Sequence, residues 1–139
     1  MKIEDKIVIT ATCYNEIINH GIMNYPYEVC GLLSGTNNKV LSVWKLENEL
    51  KSDRRFYVGE KAVAKNLKSI ANKNEMLLAI YHSHPTTAPL PSHYDISNHM
   101  DDNIIMVIIT YKTKTPKMKC YRISNGTYRE CVLIIEQTS

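Results

Sequence analysis

Apolar and polar positions along this chain follow two periods, and the switches between them mark out its elements. Ile3, Ile7 and Ile9 stand among polar residues and predict a first strand over Lys2–Thr10. Tyr14, Ile17, Ile18 and Ile22 then fall at helical spacing, with Gly21 and Asn24-Tyr-Pro26 as the stop. The apolar-rich runs Val29–Gly35 and Lys39–Leu46 read as strands, and Thr36-Asn-Asn38 between them as a hairpin turn. A polar loop over 47–55 leads to a short strand at Phe56–Val58. In Glu60–Asn72, Val63, Leu67, Ile70 and Ala71 share one stripe while Lys61, Lys65 and Lys68 lie elsewhere, which predicts a second, amphipathic helix. The β-prone run Met76–Tyr81 extends to His84, and Ser92 is placed to cap a short helix running to about Asp101. Ile104–Thr110, Lys117–Ile123 and Tyr128–Glu136 close the series as strands, the last two joined by Ser124-Asn-Gly-Thr127, a strong hairpin signal. The order β-α-β-β-β-α-β-α-β-β-β predicts an α+β fold, a mixed sheet flanked by helices.

At 139 residues the chain is expected to be a single domain over 1–139, large enough to bury about two-thirds of its unfolded surface. Its hydrophobic fraction of 44% and charged fraction of 22% exclude disordered and fibrous classes, and a net charge of +3 points to no particular partner. Charges interrupt the apolar positions of the first ten residues, so no secretory signal is expected. The longest apolar run, Ile104–Ile109, is far short of the roughly 18 residues that span a bilayer. A cytoplasmic protein with no membrane partner is the expectation. Cys13, Cys30, Cys120 and Cys131 form no Cys-x-x-Cys pair and are expected to be buried free thiols.

The chemistry concentrates in His82-Ser-His-Pro-Thr-Thr-Ala-Pro-Leu-Pro-Ser-His-Tyr-Asp95. Side chains alternate along a strand, so His82 and His84 point the same way and Ser83 faces away. Three prolines exclude helix until Ser92, and Asp95 three residues later suits a capping box. Two imidazoles and a carboxylate are a three-ligand set typical of catalytic zinc, in which a fourth position stays open.

The stretch resembles the His-x-His-x7-Ser-x2-Asp signature of the JAMM, or MPN-plus, metalloprotease family, and every position fits. Upstream, Tyr25-Pro-Tyr-Glu-Val-Cys-Gly-Leu-Leu-Ser-Gly35 is similar to the family's Pro-x-Glu-x-x-Gly-Leu-Leu-x-Gly pattern and puts Glu28 in the place of its glutamate. The loop after Leu46 resembles the family's Asn-containing loop before a Phe-containing strand. The resemblance spans almost the whole chain. It implies a cytidine-deaminase-like (JAB/MPN) architecture and zinc-assisted hydrolysis of an amide or isopeptide bond. His82, His84 and Asp95 would hold Zn2+, Glu28 would act as general acid and base, and Ser92 would donate to the oxyanion. The implied substrate is a ubiquitin-like or sulfur-carrier protein cut at its C-terminus; the short stretch between Phe56 and His82 looks like the small prokaryotic form.

Other readings compete with parts of this one. Cys30, two residues from Glu28, has the placement of a nucleophile but no evident His partner in sequence. Lys112, Lys114, Lys117 and Lys119 lie near Tyr111 and Tyr121, as in a nucleic-acid contact; lysines that discourage pairing at a sheet edge account for them as well, and no nucleic-acid partner is expected. A non-catalytic MPN-type scaffold would usually lack a ligand, whereas the set here is complete. A zinc nucleoside deaminase would need His-x-Glu and Pro-Cys-x-x-Cys elements, and neither occurs.

Overall fold

The computed structural model describes residues 5–48, 52, 58–99 and 101–137. Within them run β1 (Lys6–Thr10), α1 (Ala11–Asn24), β2 (Cys30–Thr36), β3 (Lys39–Leu46), α2 (Glu60–Asn72), β4 (Met76–His84), α3 (His93–Asn98), β5 (Ile105–Thr110), β6 (Lys117–Ser124) and β7 (Thr127–Glu136). The strands join in the order β1-β3-β2-β4-β5-β6-β7 and close on themselves. The sheet is mixed, as expected: β1 is parallel to both β3 and β7, β4 is parallel to β5, and the remaining pairs are antiparallel. The first part of the strand expected over Lys2–Thr10, and all of Phe56–Val58 but Val58, lie outside the described residues; Val58 is not in a strand.

Each strand divides its side chains between two apolar layers. Ile7, Ile9, Leu33, Ala79, Tyr81, Val107 and Ile109 pack with Cys13 and Ile17 of α1, each large aliphatic buried there contributing about 1.5–3 kcal/mol. On the opposite face Cys30, Leu32 and Leu46 meet Ile70 of α2, and Met106, Ile108, Tyr121 and Ile123 meet Ile96 of α3. The buried stripe of α1 is Cys13, Ile17 and Gly21, with Tyr14 and Ile18 beside it, while Ile22 is 54% exposed. Gly21 is therefore not the stop it was expected to be. It lies inside the helix because Tyr111 crosses there: a Cβ on Gly21 would stand 2.1 Å from the Tyr111 hydroxyl, which donates to Ile18 O at 2.7 Å. The helix ends at Asn24, before Pro26.

The pairing of β6 corrects a second expectation. β6 has hydrogen-bonded neighbours on both sides, β5 and β7, so Lys117 and Lys119 do not guard an edge. The pairing of β1 with β7 joins the two ends of the described chain, a contact that local patterning cannot reveal. Among the described residues no helix is long and apolar enough to cross a membrane.

Candidate metal centre

β4 carries the histidines. Its odd positions Ala79 and Tyr81 are committed to the α1 layer, so Ile80, His82 and His84 emerge on the face covered by α2 and α3. Ser83 faces away as the alternation requires. It fastens β4 to the entrance of β2: Val29 N–H donates to Ser83 Oγ at 2.9 Å, and Ser83 N–H donates to Val29 O at 3.0 Å.

The loop from Pro85 to Pro91 returns the chain to the same face. Thr110 Oγ1 of β5 donates to Thr87 O at 2.6 Å, and the Tyr121 hydroxyl of β6 donates to Pro89 O. These two anchors hold Ala88 so that its carbonyl accepts from His84 Nδ1 at 2.9 Å. α3 then starts at Ser92 with a complete capping box, Asp95 N–H donating to Ser92 Oγ at 3.0 Å and Ser92 N–H to Asp95 Oδ2 at 2.9 Å. The helix is shorter than expected, ending at Asn98 rather than near Asp101. His99 turns extended, and its Nε2 donates to Ile104 O at 2.7 Å.

Three buried side chains converge as a result. His82 Nε2 lies 3.1 Å from His84 Nε2 and 3.0 Å from Asp95 Oδ2, and His84 Nε2 lies 3.1 Å from the same oxygen. A carbonyl only accepts, so His84 Nδ1 carries a hydrogen and the neutral ring presents its Nε2 lone pair to the trio. A lone pair and a carboxylate oxygen at that distance repel unless a proton or a cation lies between them. The donor set thus fits a divalent ion, and the triangle is close to the spacing of about 3.3 Å between ligand atoms on tetrahedral zinc. The Ala88 carbonyl supplies the outer hydrogen bond that metal-binding histidines commonly make.

Electrostatics follow depth. Burial works against the charge on Asp95, but the two neighbouring imidazoles and the bond from Ser92 N–H prevail and hold its carboxyl well below the usual carboxylate range. Burial lowers the pKa of His82 despite the neighbouring carboxylate. For His84 burial also opposes the charge, yet Asp95 and the Ala88 carbonyl outweigh it and the pKa is raised.

Glu28 comes to this face just ahead of β2. Cys30 is the register partner of His82, and the Val29–Ser83 bonds continue that register, so Glu28 stands across from His84. It is 2% exposed, and its charge acts on both His84 and Cys30. Its backbone is held from both sides: Glu28 N–H donates to Ser52 O at 2.7 Å, and Asn48 Nδ2 donates to Glu28 O at 2.9 Å. Ser92 is exposed, at the mouth of the site. The five residues singled out in the sequence therefore gather on one face, and Cys30 gains the His neighbour that sequence did not show. Packing with Leu32 and Leu46 nevertheless pushes its thiol up to about 12, so it is no nucleophile near neutral pH. Sequence reasoning missed Ala88, Thr110 and Tyr121, whose contacts are set by an aperiodic loop. A cavity of about 260 Å³ lined by Leu32, Leu46, Val63, Tyr94 and Met106 adjoins His82 and Asp95.

The profile for prokaryotic homologues of the JAB domain matches residues 10–124. A desampylase from Pyrococcus furiosus is 33% identical over 85 residues, which cover 61% of this chain and 61% of that protein. The chain thus spans about three-fifths of that relative. A CysO-cysteine peptidase from Mycobacterium tuberculosis is 26% identical over 137 residues, covering 94% of this chain and 92% of its own length. In fold, a JAB1/MPN domain protein from Archaeoglobus fulgidus superposes with a TM-score of 0.61 at 19% identity, over 93% of this chain and 98% of the other.

Proposed function

Because this chain belongs to the family of prokaryotic homologues of the JAB domain, we propose that it is a zinc-dependent peptidase that hydrolyses an amide or isopeptide bond at the C-terminus of a ubiquitin-like or sulfur-carrier protein. The observation that carries the reading is the convergence of His82, His84 and Asp95 opposite Glu28. The names of the two relatives, desampylase and CysO-cysteine peptidase, support the substrate class. The free, buried thiols accord with a reducing cytoplasm as its place.

His82 and His84, through Nε2, and Asp95, through Oδ2, would hold the zinc. When bound, the metal supplies Lewis acidity that polarises the scissile carbonyl and makes water acidic enough to lose a proton near pH 7. Glu28 accepts that proton and delivers it to the leaving amine, which asks of it reach and a fixed backbone rather than ligation. The clamp by Ser52 and Asn48 provides the second. Ser92 Oγ accepts from Asp95 N–H, so the hydroxyl hydrogen remains to be donated to the oxyanion as the carbonyl becomes tetrahedral. Asp95 stays ionised throughout, since its environment favours the anion.

The test incubates the zinc-loaded protein with a panel of ubiquitin-like and sulfur-carrier fusions and locates any cut by mass spectrometry. Cleavage directly after a carrier C-terminus, lost on chelation, is the expected result. Carriers left whole by protein that retains stoichiometric zinc would overturn the peptidase reading and leave the scaffold alternative in its place.

A further inference from the structure

Lysines 117 and 119 are not spread over an arbitrary surface. His84 pairs in register with Thr110, and Thr110 with Lys117; His82 pairs with Ile108, and Ile108 with Lys119. The two lysines therefore stand in the same transverse rows as the two histidines, two strands away and about 10 Å across at ordinary strand spacing. Alternation puts all four on the same face, because Ala79, Val107 and Cys120 take the other. The loop that orients His84 lies between the two sets, tied down by Thr110 and Tyr121.

Between this loop and β6 runs an open groove of about 350 Å³, with Ala88, Pro89 and Leu90 on one wall and Lys112, Lys117 and Lys119 on the other. Lys119 shares its charge with Glu130 at 3.7 Å. Among the described residues neither Lys112 nor Lys117 has an ion-pair partner. Edge protection does not explain these cations, since β6 is paired on both sides.

We infer that this groove docks an acidic, leucine-bearing stretch of the protein substrate beside the bond to be cut. The inference rests on the peptidase reading for the identity of its occupant. An apolar wall facing a cationic one matches a polypeptide in which carboxylates alternate with aliphatic side chains. A nucleic acid would be better served by exposed aromatic platforms, and the aromatic ring on this face of β6, Tyr121, is buried under the loop. Placement next to the candidate metal centre lets the lysines steer an acidic carrier toward it, an effect that weakens as salt rises.

The test reads binding first, so that it does not depend on cleavage. A fluorescein-labelled peptide of alternating Glu and Leu, and an oligothymidylate of equal charge, are titrated by anisotropy against wild type, Lys112→Glu/Lys117→Glu, and the control Lys61→Glu/Lys65→Glu on α2. The peptide should bind the groove variant about tenfold more weakly than wild type and the control unchanged; the milder Lys112→Ser/Lys117→Ser, should the reversed pair fold poorly, should show a smaller loss in the same direction. Equal peptide binding by all folded variants, or tighter binding of the oligothymidylate through the same lysines, overturns the docking site. On any carrier that is cut, the groove variant should raise KM and spare kcat. Peptide binding without cleavage of any carrier would keep the groove and sink the peptidase reading, whereas cleavage with an unaltered KM would do the reverse.

Discussion

Ser92 and Asp95 hold each other: each backbone N–H donates to the other's side chain, at 3.0 and 2.9 Å, and the Asp95 oxygen that accepts is the one facing both histidines. The cap of α3 and the carboxylate of the candidate metal centre are thus one structure. A six-residue helix has little intrinsic stability, and this cap is what gives it a fixed start.

Ser92→Ala removes the cap acceptor and the proposed oxyanion donor together. The melting temperature should fall by the equivalent of about 1 kcal/mol, and kcat on a cleavable carrier by about 100-fold or more. Ser92→Thr keeps the hydroxyl and should restore most of both. An alanine variant with the stability loss but wild-type kcat would confine Ser92 to capping.

Zinc binding should depend on each imidazole and also on the loop that orients one of them. Metal analysis after dialysis should find about one zinc per chain for wild type and little for His82→Ala or His84→Ala. Thr110→Val deletes the hydroxyl that donates to Thr87 O and accepts from Lys112 N–H, and zinc affinity by competition with a chromogenic chelator should drop by up to about tenfold. The outcome against this picture is a double His82→Ala, His84→Ala protein that still retains a full equivalent.

A pH effect on stability is expected away from the metal centre. His20 lies in α1 with Nδ1 2.7 Å from the Tyr81 hydroxyl, and burial, followed by the charge of Lys45, lowers its pKa from 6.5 to about 4. The folded state binds this proton less readily than the unfolded chain. Its contribution to stability is therefore complete above about 6.5 and shrinks as pH falls toward 4. Melting temperature against pH should decline over that window in wild type and decline less in His20→Gln. Parallel curves for the two proteins would remove His20 as a source of acid sensitivity.

What sequence made legible was local. Spacing by two put His82 and His84 on one face, spacing by three tied Ser92 to Asp95, and the hairpin at Ser124–Thr127 fell where Asn-Gly demanded it. The place of Glu28 came from resemblance to a family pattern, because its approach to His84 depends on how β2 and β4 register across the intervening chain. Closure of β1 on β7 had no local signature, and the lysines of β6 were misread as edge guards because the pairing of that strand with β5 as well as β7 is not written in its own spacing. Cys120 and Cys131, scattered in sequence, turn out to be register partners, yet both remain free thiols. Gly21 looked like a helix stop because the residue that needs its missing side chain, Tyr111, arrives from after β5.

Glu28→Gln separates chemistry from architecture most sharply. The amide nearly matches the carboxylate in shape, so the buried site should keep its packing, and zinc content should be unchanged if Glu28 is no ligand. Register places Glu28 across from His84 while the trio is complete without it. Glutamine cannot accept a proton from water at neutral pH, so hydrolysis of a carrier fusion should fall by at least about 100-fold. Zinc content, melting temperature and cleavage rate measured on one preparation discriminate the alternatives. A rate within a few-fold of wild type at full zinc occupancy would show that another group takes the proton, and a parallel loss of zinc and rate would make Glu28 a ligand or a support for one.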